Sequence, residues 1–393
     1  MLNFLIESSY YSTPDKDGNL YGCEFNGLAE LDCGKKGFKM GPIRSVTLAG
    51  LFTDTTWATN GKSLSLEEAK GWYTSRDFEE MKGIGLNTVQ IPVPASIILD
   101  NDGYKDLLDK ILVDIEGAGL QVILLLVGTG DEEDAILACA KYAVLHPVIL
   151  GVTLPDGMLI DTELLISSIR VEAPVLPIFL PLKEGDILHS VVSKIGESDP
   201  NVYGSLDLTH TTTIADIASS SSIEDRSKMF YHEATSCIKR SPLEFSYCIQ
   251  NLPIFVSNGF DASIDDCFMN GYKDYGQCDR FNETMYSDWW ERHRASYLAR
   301  QFYAYERGLG WSFATWKLYD SSNEGVIDIP AKLFSLKDVV SAGIFPDMDG
   351  IPAVDACLNP PENDFMLGDD TLAPTMGPPP DCGDGWWNFT TSQ

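Results

Sequence analysis

The residues of this chain best placed to do chemistry are carboxylates that follow apolar runs. Asp156 comes after Val148–Pro155, and Asp261 comes after Leu252–Phe260 and opens the acidic stretch Asp261-Ala-Ser-Ile-Asp-Asp-Cys267. Two carboxyls brought to one cleft could share acid, base or nucleophile roles on a single bond. The plainer account is that they are solvated loop acids, in a chain that carries 58 acidic residues. Asp261, Asp265 and Asp266 equally suit helix or turn caps. Trp316 offers a flat face of the kind that stacks on a pyranose, or else a core aromatic. Of the five histidines, only His210 falls at an expected strand end. His146, His189, His232 and His293 show no metal spacing and no companion nucleophile, so no metal and no cofactor is expected. Asp15-Lys-Asp-Gly-Asn begins like a calcium loop, but Leu20 and Asn26 stand where such a loop needs Gly and Glu, which favours a turn; Asp347-Met-Asp-Gly reads the same way. Gly128-Thr-Gly-Asp lacks the lysine of a phosphate loop.

From Arg44 onward, apolar strand-like runs alternate with helical patterns, the signature of a parallel βα protein. Strands are expected near 44–50, 87–92, 121–127, 148–154, 175–180, 202–208, 252–257 and 310–315. The four middle runs recur about every 27 residues, close to one compact βα unit. Helices are expected after Ser75 up to Gly83, at 104–119 with Leu107, Leu108, Ile111, Leu112 and Ile115 on one face, at 131–145 and at 285–308. Eight units make an α/β (β/α)8 TIM barrel over 44–344. Residues 1–43, rich in Gly, Tyr, Asp and Cys, read as an irregular lead-in with room for a small hairpin. Residues 345–393, with Pro360-Pro361, Pro374 and Pro378-Pro379-Pro380, read as a Pro- and acid-rich tail.

Composition limits the partners. A formal charge of −30 and 44% hydrophobic residues describe an acidic globular chain, whose field opposes nucleic acid and anionic membranes. No apolar run reaches the ~18 residues of a membrane span. The nine cysteines contain no Cys-x-x-Cys pair, and all but Cys139 fall in loop-like or terminal sequence, which suits disulfides in an oxidising compartment. Asn282-Glu-Thr and Asn388-Phe-Thr are glycosylation sequons that point the same way. The expected location is therefore extracellular or at a cell wall, although Met1–Ile6 is too short for a signal-peptide core, so that either the leader lies outside the chain shown or the protein is not secreted.

Four landmarks together resemble the secreted exo-β-1,3-glucanases of glycoside hydrolase family 5. They are Leu86-Asn-Thr-Val-Gln-Ile-Pro-Val, Val148-Ile-Leu-Gly-Val-Thr-Leu, Phe260-Asp-Ala-Ser-Ile-Asp-Asp-Cys with Asn270-Gly271, and Gly310-Trp-Ser-Phe-Ala-Thr-Trp-Lys. The resemblance covers roughly Arg44 to Lys337, and it implies a retaining mechanism whose two glutamates stand about 5–5.5 Å apart. Matched residue by residue, the acid/base glutamate falls on Gly157, with Asp156 on the preceding asparagine. The nucleophile falls on Gly259, with Phe260 on the following tryptophan. The supporting arginine of strand 2 is Gln90, a strand 3 histidine is Val127, and a strand 6 tyrosine is Thr211 beside the retained His210. Strand 8 keeps Trp316 and Lys317.

Glycine supplies neither proton nor nucleophile, so the resemblance implies a barrel that has lost its catalytic pair. The leading expectation is a catalytically inactive, glucanase-like scaffold that binds carbohydrate, with Trp316, His210, Asp156 and Phe260 as the candidate contacts and β-glucan or another polysaccharide as the ligand. Two alternatives stand beside it. One is an active β-1,3-glucan hydrolase with relocated carboxylates Asp156 and Asp261; the other is a structural protein that self-associates through its tail and holds no glycan.

Overall fold

A computed structural model describes residues 42–53, 64–99, 103–128, 133–155, 161–182, 199, 201–207, 254–260, 298, 309–313, 315–318, 335–343 and 345, with five short backbone stretches before residue 41. Eight parallel strands form a closed ring. They are β1 (Ile43–Thr47), β2 (Thr88–Pro94), β3 (Gln121–Val127), β4 (Ile149–Thr153), β5 (Ile178–Leu182), β6 (Val202–Asp207), β7 (Ile254–Phe260) and β8 (Gly310–Phe313). Each pairs with the next, and β8 returns to β1 through Gly310↔Ile43 to Phe313↔Val46. This is a (β/α)8 barrel, as the alternation of strand and helix patterns predicts, and all eight strands fall where they are expected.

The helices described outside the ring are α1 (Leu66–Trp72), α2 (Ser75–Gly83), α3 (Tyr104–Gly117), α4 (Glu133–Leu145), α5 (Thr162–Glu172) and α6 (Leu336–Ser341). Side chains satisfy free N–H groups of the first turn at α1, α5 and α6, whereas α3 starts at Gly103 without a side-chain cap. Ser65 and Glu68 form a capping box on α1, with Ser65 N donating to Glu68 Oε2 at 2.9 Å. Asp161 accepts from the N–H groups of Glu163 and Leu164 at the start of α5. Such a cap contributes about 1 kcal/mol. The helix expected at 285–308 lies outside the described residues apart from Leu298, which is helical and buried.

Two apolar clusters follow from strand alternation. One joins Val46, Val89, Ile91, Val122, Leu124, Val152, Trp311 and Phe313 to helix residues such as Phe78, Leu108, Ile111 and Ile136, so it lies between sheet and helices. The other, Ile43, Ile123, Leu150, Phe179, Tyr203, Phe255 and Leu309, contains no helix residue and fills the barrel interior toward the strands' N-terminal ends. Burying faces of this size supplies the main drive to fold.

The ladder is not regular throughout. Between β3 and β4 the register moves from Val122↔Ile149 to Ile123↔Gly151, and between β6 and β7 from Leu206↔Val256 to Asp207↔Asn258. Between β7 and β8 it moves from Val256↔Trp311 to Phe260↔Phe313. The end of β7 is therefore bulged against both neighbours, and simple alternation does not carry across it.

Before the barrel, Thr13–Pro14 pairs antiparallel with Leu20–Tyr21. Cys23–Phe25, Leu31–Cys33 and Lys39–Met40 form a three-stranded antiparallel sheet in which Cys23 and Cys33 are register partners. Strands of two and three residues are too short to leave a period in the sequence. Apart from Phe345, the tail 345–393 lies outside the described residues. No helix among the described residues is long and apolar enough to cross a membrane.

Candidate functional site in the barrel interior

In an open βα barrel, ligands meet the C-terminal ends of the strands and the loops that follow them. Here the interior changes character on the way to that end. Its floor is aromatic: Phe179 lies 5.6 Å from Tyr203 and 5.4 Å from Phe255, centroid to centroid. Gly151 permits this arrangement, because a Cβ there would stand 3.0 Å from the Phe179 ring and 2.6 Å from Pro177 O. Above the floor the buried inward-facing residues include Ser45, Thr47, Gln90, Thr153, Ser205, Ser257 and Ser312, none of them charged. Thr47 Oγ1 and Ser312 Oγ share a hydrogen bond of 3.1 Å across the β1–β8 seam. Barrel interiors are usually filled at this level by bulky branched side chains. On β3 the inward face rises through Leu125, half-buried, to Val127, 43% exposed.

Gln90, the residue matched to a family arginine, is fully buried on β2, in register with Thr47 and Ile123. Val127 ends β3 opposite Pro94. Gly259 and Phe260 close β7 in its bulged segment, Phe260 pairing with Phe313. Asp156, Gly157, His210, Thr211, Asp261, Asn282 and Asn388 lie outside the described residues, as do His189, His232, His293 and the two calcium-like turns. Among the described residues no group of three His, Cys, Asp or Glu side chains could hold a metal ion.

Trp316 does not stand open at the mouth. It is 1% exposed, and its indole N–H donates to Asp77 Oδ1 at 3.1 Å. Its backbone N–H donates to Thr47 O, just past the end of β8. This is the core placement of the aromatic, not a free platform for a sugar ring. Lys317 beside it donates to Asp77 Oδ2 at 2.8 Å, and its Nζ lies 5.0 Å from the rings of both Trp72 and Tyr73. Lys337 of α6 reaches Asp77 Oδ1 at 3.1 Å and Glu80 Oε2 at 2.8 Å. Asp77 also accepts from the backbone N–H and hydroxyl of Thr74, each at 3.0 Å. Burial alone would raise the Asp77 pKa, but the Lys317 ammonium and the Trp316 and Thr74 N–H groups outweigh it and hold the carboxyl well below its ordinary range. The best-matched landmark, Gly310–Lys317, thus ties the barrel seam to α2 and α6. Asp77 escaped the sequence reading, although Thr74 three residues before it is a capping-box signal.

Two other groups with reactive side chains are occupied structurally. Cys139 is buried, its Sγ donates to Ala95 O at 3.2 Å, and burial pushes its thiol up to about 12, far from a nucleophile's range. His146 packs on the Tyr142 ring at 4.1 Å with Nε2 3.9 Å from Asp109, which accepts from Tyr142 and Lys105 and so joins α3 to α4.

A closed ring of eight parallel strands, floored by aromatics and lined above them by neutral hydroxyls and one amide, defines the class: a (β/α)8 barrel with an uncharged polar interior over its described residues. Solved structures to which the chain is similar include an endocellulase from Pyrococcus horikoshii in complex with cellotetraose, at 11% identity and TM-score 0.44, covering 78% of this chain and 94% of that one. Others are a glycoside hydrolase family 5 enzyme from Prevotella bryantii, at 12% identity and TM-score 0.44 over 77% and 94%, and Cel5A of Thermotoga maritima in complex with cellobiose, at 13% and 0.44 over 76% and 96%. No family model and no curated protein matches the chain.

Proposed function

We propose that this protein is a glucanase-like barrel that holds a neutral glycan without cleaving it, outside the cell or at a cell wall, with the Pro-rich tail available for self-association. The observation that carries the reading is the neutral polar lining: Ser45, Gln90, Thr153, Ser205, Ser257 and Ser312 are buried on the inner face, and Gly259 stands one residue before the end of β7. Glycoside hydrolysis in this class needs two carboxyls about 5–5.5 Å apart. The sequence match puts glycine at both positions, and the buried polar residues Ser45, Thr47, Gln90, Thr153, Ser205, Ser257 and Ser312 carry no carboxyl. A neutral lining of hydroxyls suits hydroxylated ligands, which exchange hydrogen bonds with it at little net cost.

Laminarin and a chromogenic β-glucoside, assayed for turnover beside titration calorimetry with laminari-oligosaccharides, test this directly. Binding without turnover is the expected result. Turnover that disappears on Asp156→Ala or Asp261→Ala would overturn the reading in favour of a hydrolase with relocated carboxylates. Neither binding nor turnover, with mass that grows with concentration, would overturn it in favour of a self-assembling structural protein.

A further inference from the structure

The small sheet ahead of the barrel places two of the chain's cysteines directly across from each other. Cys23–Phe25 and Leu31–Cys33 run antiparallel, with Cys23 opposite Cys33, Glu24 opposite Asp32 and Phe25 opposite Leu31. Residues directly opposite in an antiparallel ladder share one face of the sheet, with Cα atoms about 4.5 or 5.5 Å apart according to the kind of pair. Both spacings fall inside the about 4.4–6.8 Å that a disulfide spans, so a bond here asks for no backbone movement. The rest of the ladder gives the two cysteines a reason to be joined. Three register pairs hold these strands together, and a two-stranded unit of that size is marginal in water. One of the three sets Glu24 against Asp32, and like charges directly opposite weaken a strand pair. The third strand adds Leu31↔Met40 and Asp32↔Lys39, so it supports the middle strand and leaves Cys23–Phe25 on the outside.

The cysteine count agrees. Nine is odd, and Cys139 is the one set aside, a buried free thiol whose Sγ donates to Ala95 O. With Cys23 and Cys33 joined, the cysteines at 237, 248, 267, 278, 357 and 382 remain as an even set. We infer that Cys23 and Cys33 form a disulfide that staples the lead-in sheet ahead of the barrel. Its formation takes two electrons and two protons from the two thiols, and oxidised glutathione is a sufficient acceptor. One cysteine thiolate attacks the glutathione S–S bond, giving a mixed disulfide and one glutathione thiol; the second cysteine then displaces the other glutathione, so one S–S bond breaks and one forms. The staple stands close to the barrel entry. Only Gly41 and Pro42 separate Lys39–Met40 from β1. Asn87 holds that entry, its Nδ2 donating to Pro42 O at 2.8 Å and its Oδ1 accepting from Arg44 N at 2.9 Å. The inference does not depend on glycan binding and needs only an oxidising medium.

The full chain, equilibrated with oxidised glutathione in excess over the reduced form, is treated with iodoacetamide without reduction, digested with trypsin and weighed by mass spectrometry. Cleavage at Lys16 and Lys35 releases Asp17–Lys35, which holds both cysteines. That peptide is expected to carry no alkyl group and to weigh two hydrogen atoms less than the dithiol. Further digestion after Glu24 and Glu30 separates Cys23 from Cys33 along the chain, and the pieces should stay joined until a reductant is added. Separate alkyl or glutathionyl groups on Cys23 and Cys33, or either cysteine joined to a different peptide, would overturn the inference. The stapling role is read on the native protein. The double variant Cys23→Ser, Cys33→Ser is expected to be cut by trypsin at Lys35, Lys36 or Lys39 roughly tenfold faster than wild type, because local opening governs such cleavage. Equal cutting of the two would overturn the staple even where the bond is found, and the peptide map decides the bond whether or not the variant folds. None of these outcomes bears on glycan binding, which the calorimetry with laminari-oligosaccharides decides separately.

Discussion

Asp77 shows how much one carboxylate can organise without touching a ligand. With its side chain 5% exposed, it meets two lysines, an indole N–H and the cap of its own helix. Removing it strands Lys317 beside Trp72 and Tyr73 with its counter-charge gone, and breaking a buried pair from one side is more damaging than lacking the pair. Asp77→Ala is expected to lower unfolding stability at pH 7 by roughly 2–4 kcal/mol in urea denaturation. The sign with pH follows from its depressed folded-state pKa. The contribution is fully present above the ordinary carboxyl value of 3.8 and drains away as pH falls below that value toward the folded one. The gap between wild type and Asp77→Ala should therefore narrow from pH 7 to pH 3; a gap that widens in acid would contradict this account. At the same scale, the sequence placed Gln90 on strand 2 but could not show its amide without partners, because burial on the inner face depends on seven other strands.

At the scale of elements, most of the fold was legible. Eight apolar runs became eight strands because buried parallel strands read as near-continuous hydrophobic segments, and α2, α3 and α4 followed from helical spacing. Helices α1, α5 and α6 were missed because a short apolar stripe is weak signal; the Ser65-x-x-Glu68 box, Asp161 and Ser335 would have marked them. The bulges in β4 and at the end of β7 left no trace, since reading alternation assumes an unbroken ladder, and they fall where the candidate site residues were counted off. The seam between β8 and β1 makes a sharper test of closure. Gly310 has φ +120°, and a Cβ on it would stand 2.0 Å from Ile43 O and 2.5 Å from Ile43 N. Backbone cannot yield there as a flexible side chain would, and the conformation itself excludes most other residues. Gly310→Ala should cost more than about 3 kcal/mol or abolish folding. Gly71→Ala on α1, where a Cβ meets nothing within 4 Å, should be neutral or stabilise by up to about 1 kcal/mol. Similar small effects from both would mean that β8 and β1 do not approach this closely.

For the molecule as a whole, the dominant electrostatic fact is the charge of −30 from 28 basic and 58 acidic residues. Like charges spread over one surface oppose the compact state. The ion pairs on the described helices, such as Lys70–Glu67, Arg76–Glu80, Lys105–Asp109 and Lys141–Glu172, are partly or largely exposed, and pairs of that kind contribute about 0–1 kcal/mol each. Salt weakens both the repulsion and these pairs, and the balance decides the sign. Thirty uncompensated charges act over the whole surface, whereas the pairs act singly and the Asp77 cluster, being buried, is screened little. Raising sodium chloride from about 0.01 M to about 0.15 M shortens the screening length from about 30 Å to about 8 Å, which reaches between neighbouring acids but not into the barrel. Thermal unfolding followed by circular dichroism should therefore shift upward by several degrees over that range. The same shift should persist in Asp77→Ala, because it arises from the surface. A melting temperature that falls with salt would place the surface ion pairs, not the net charge, in control of stability.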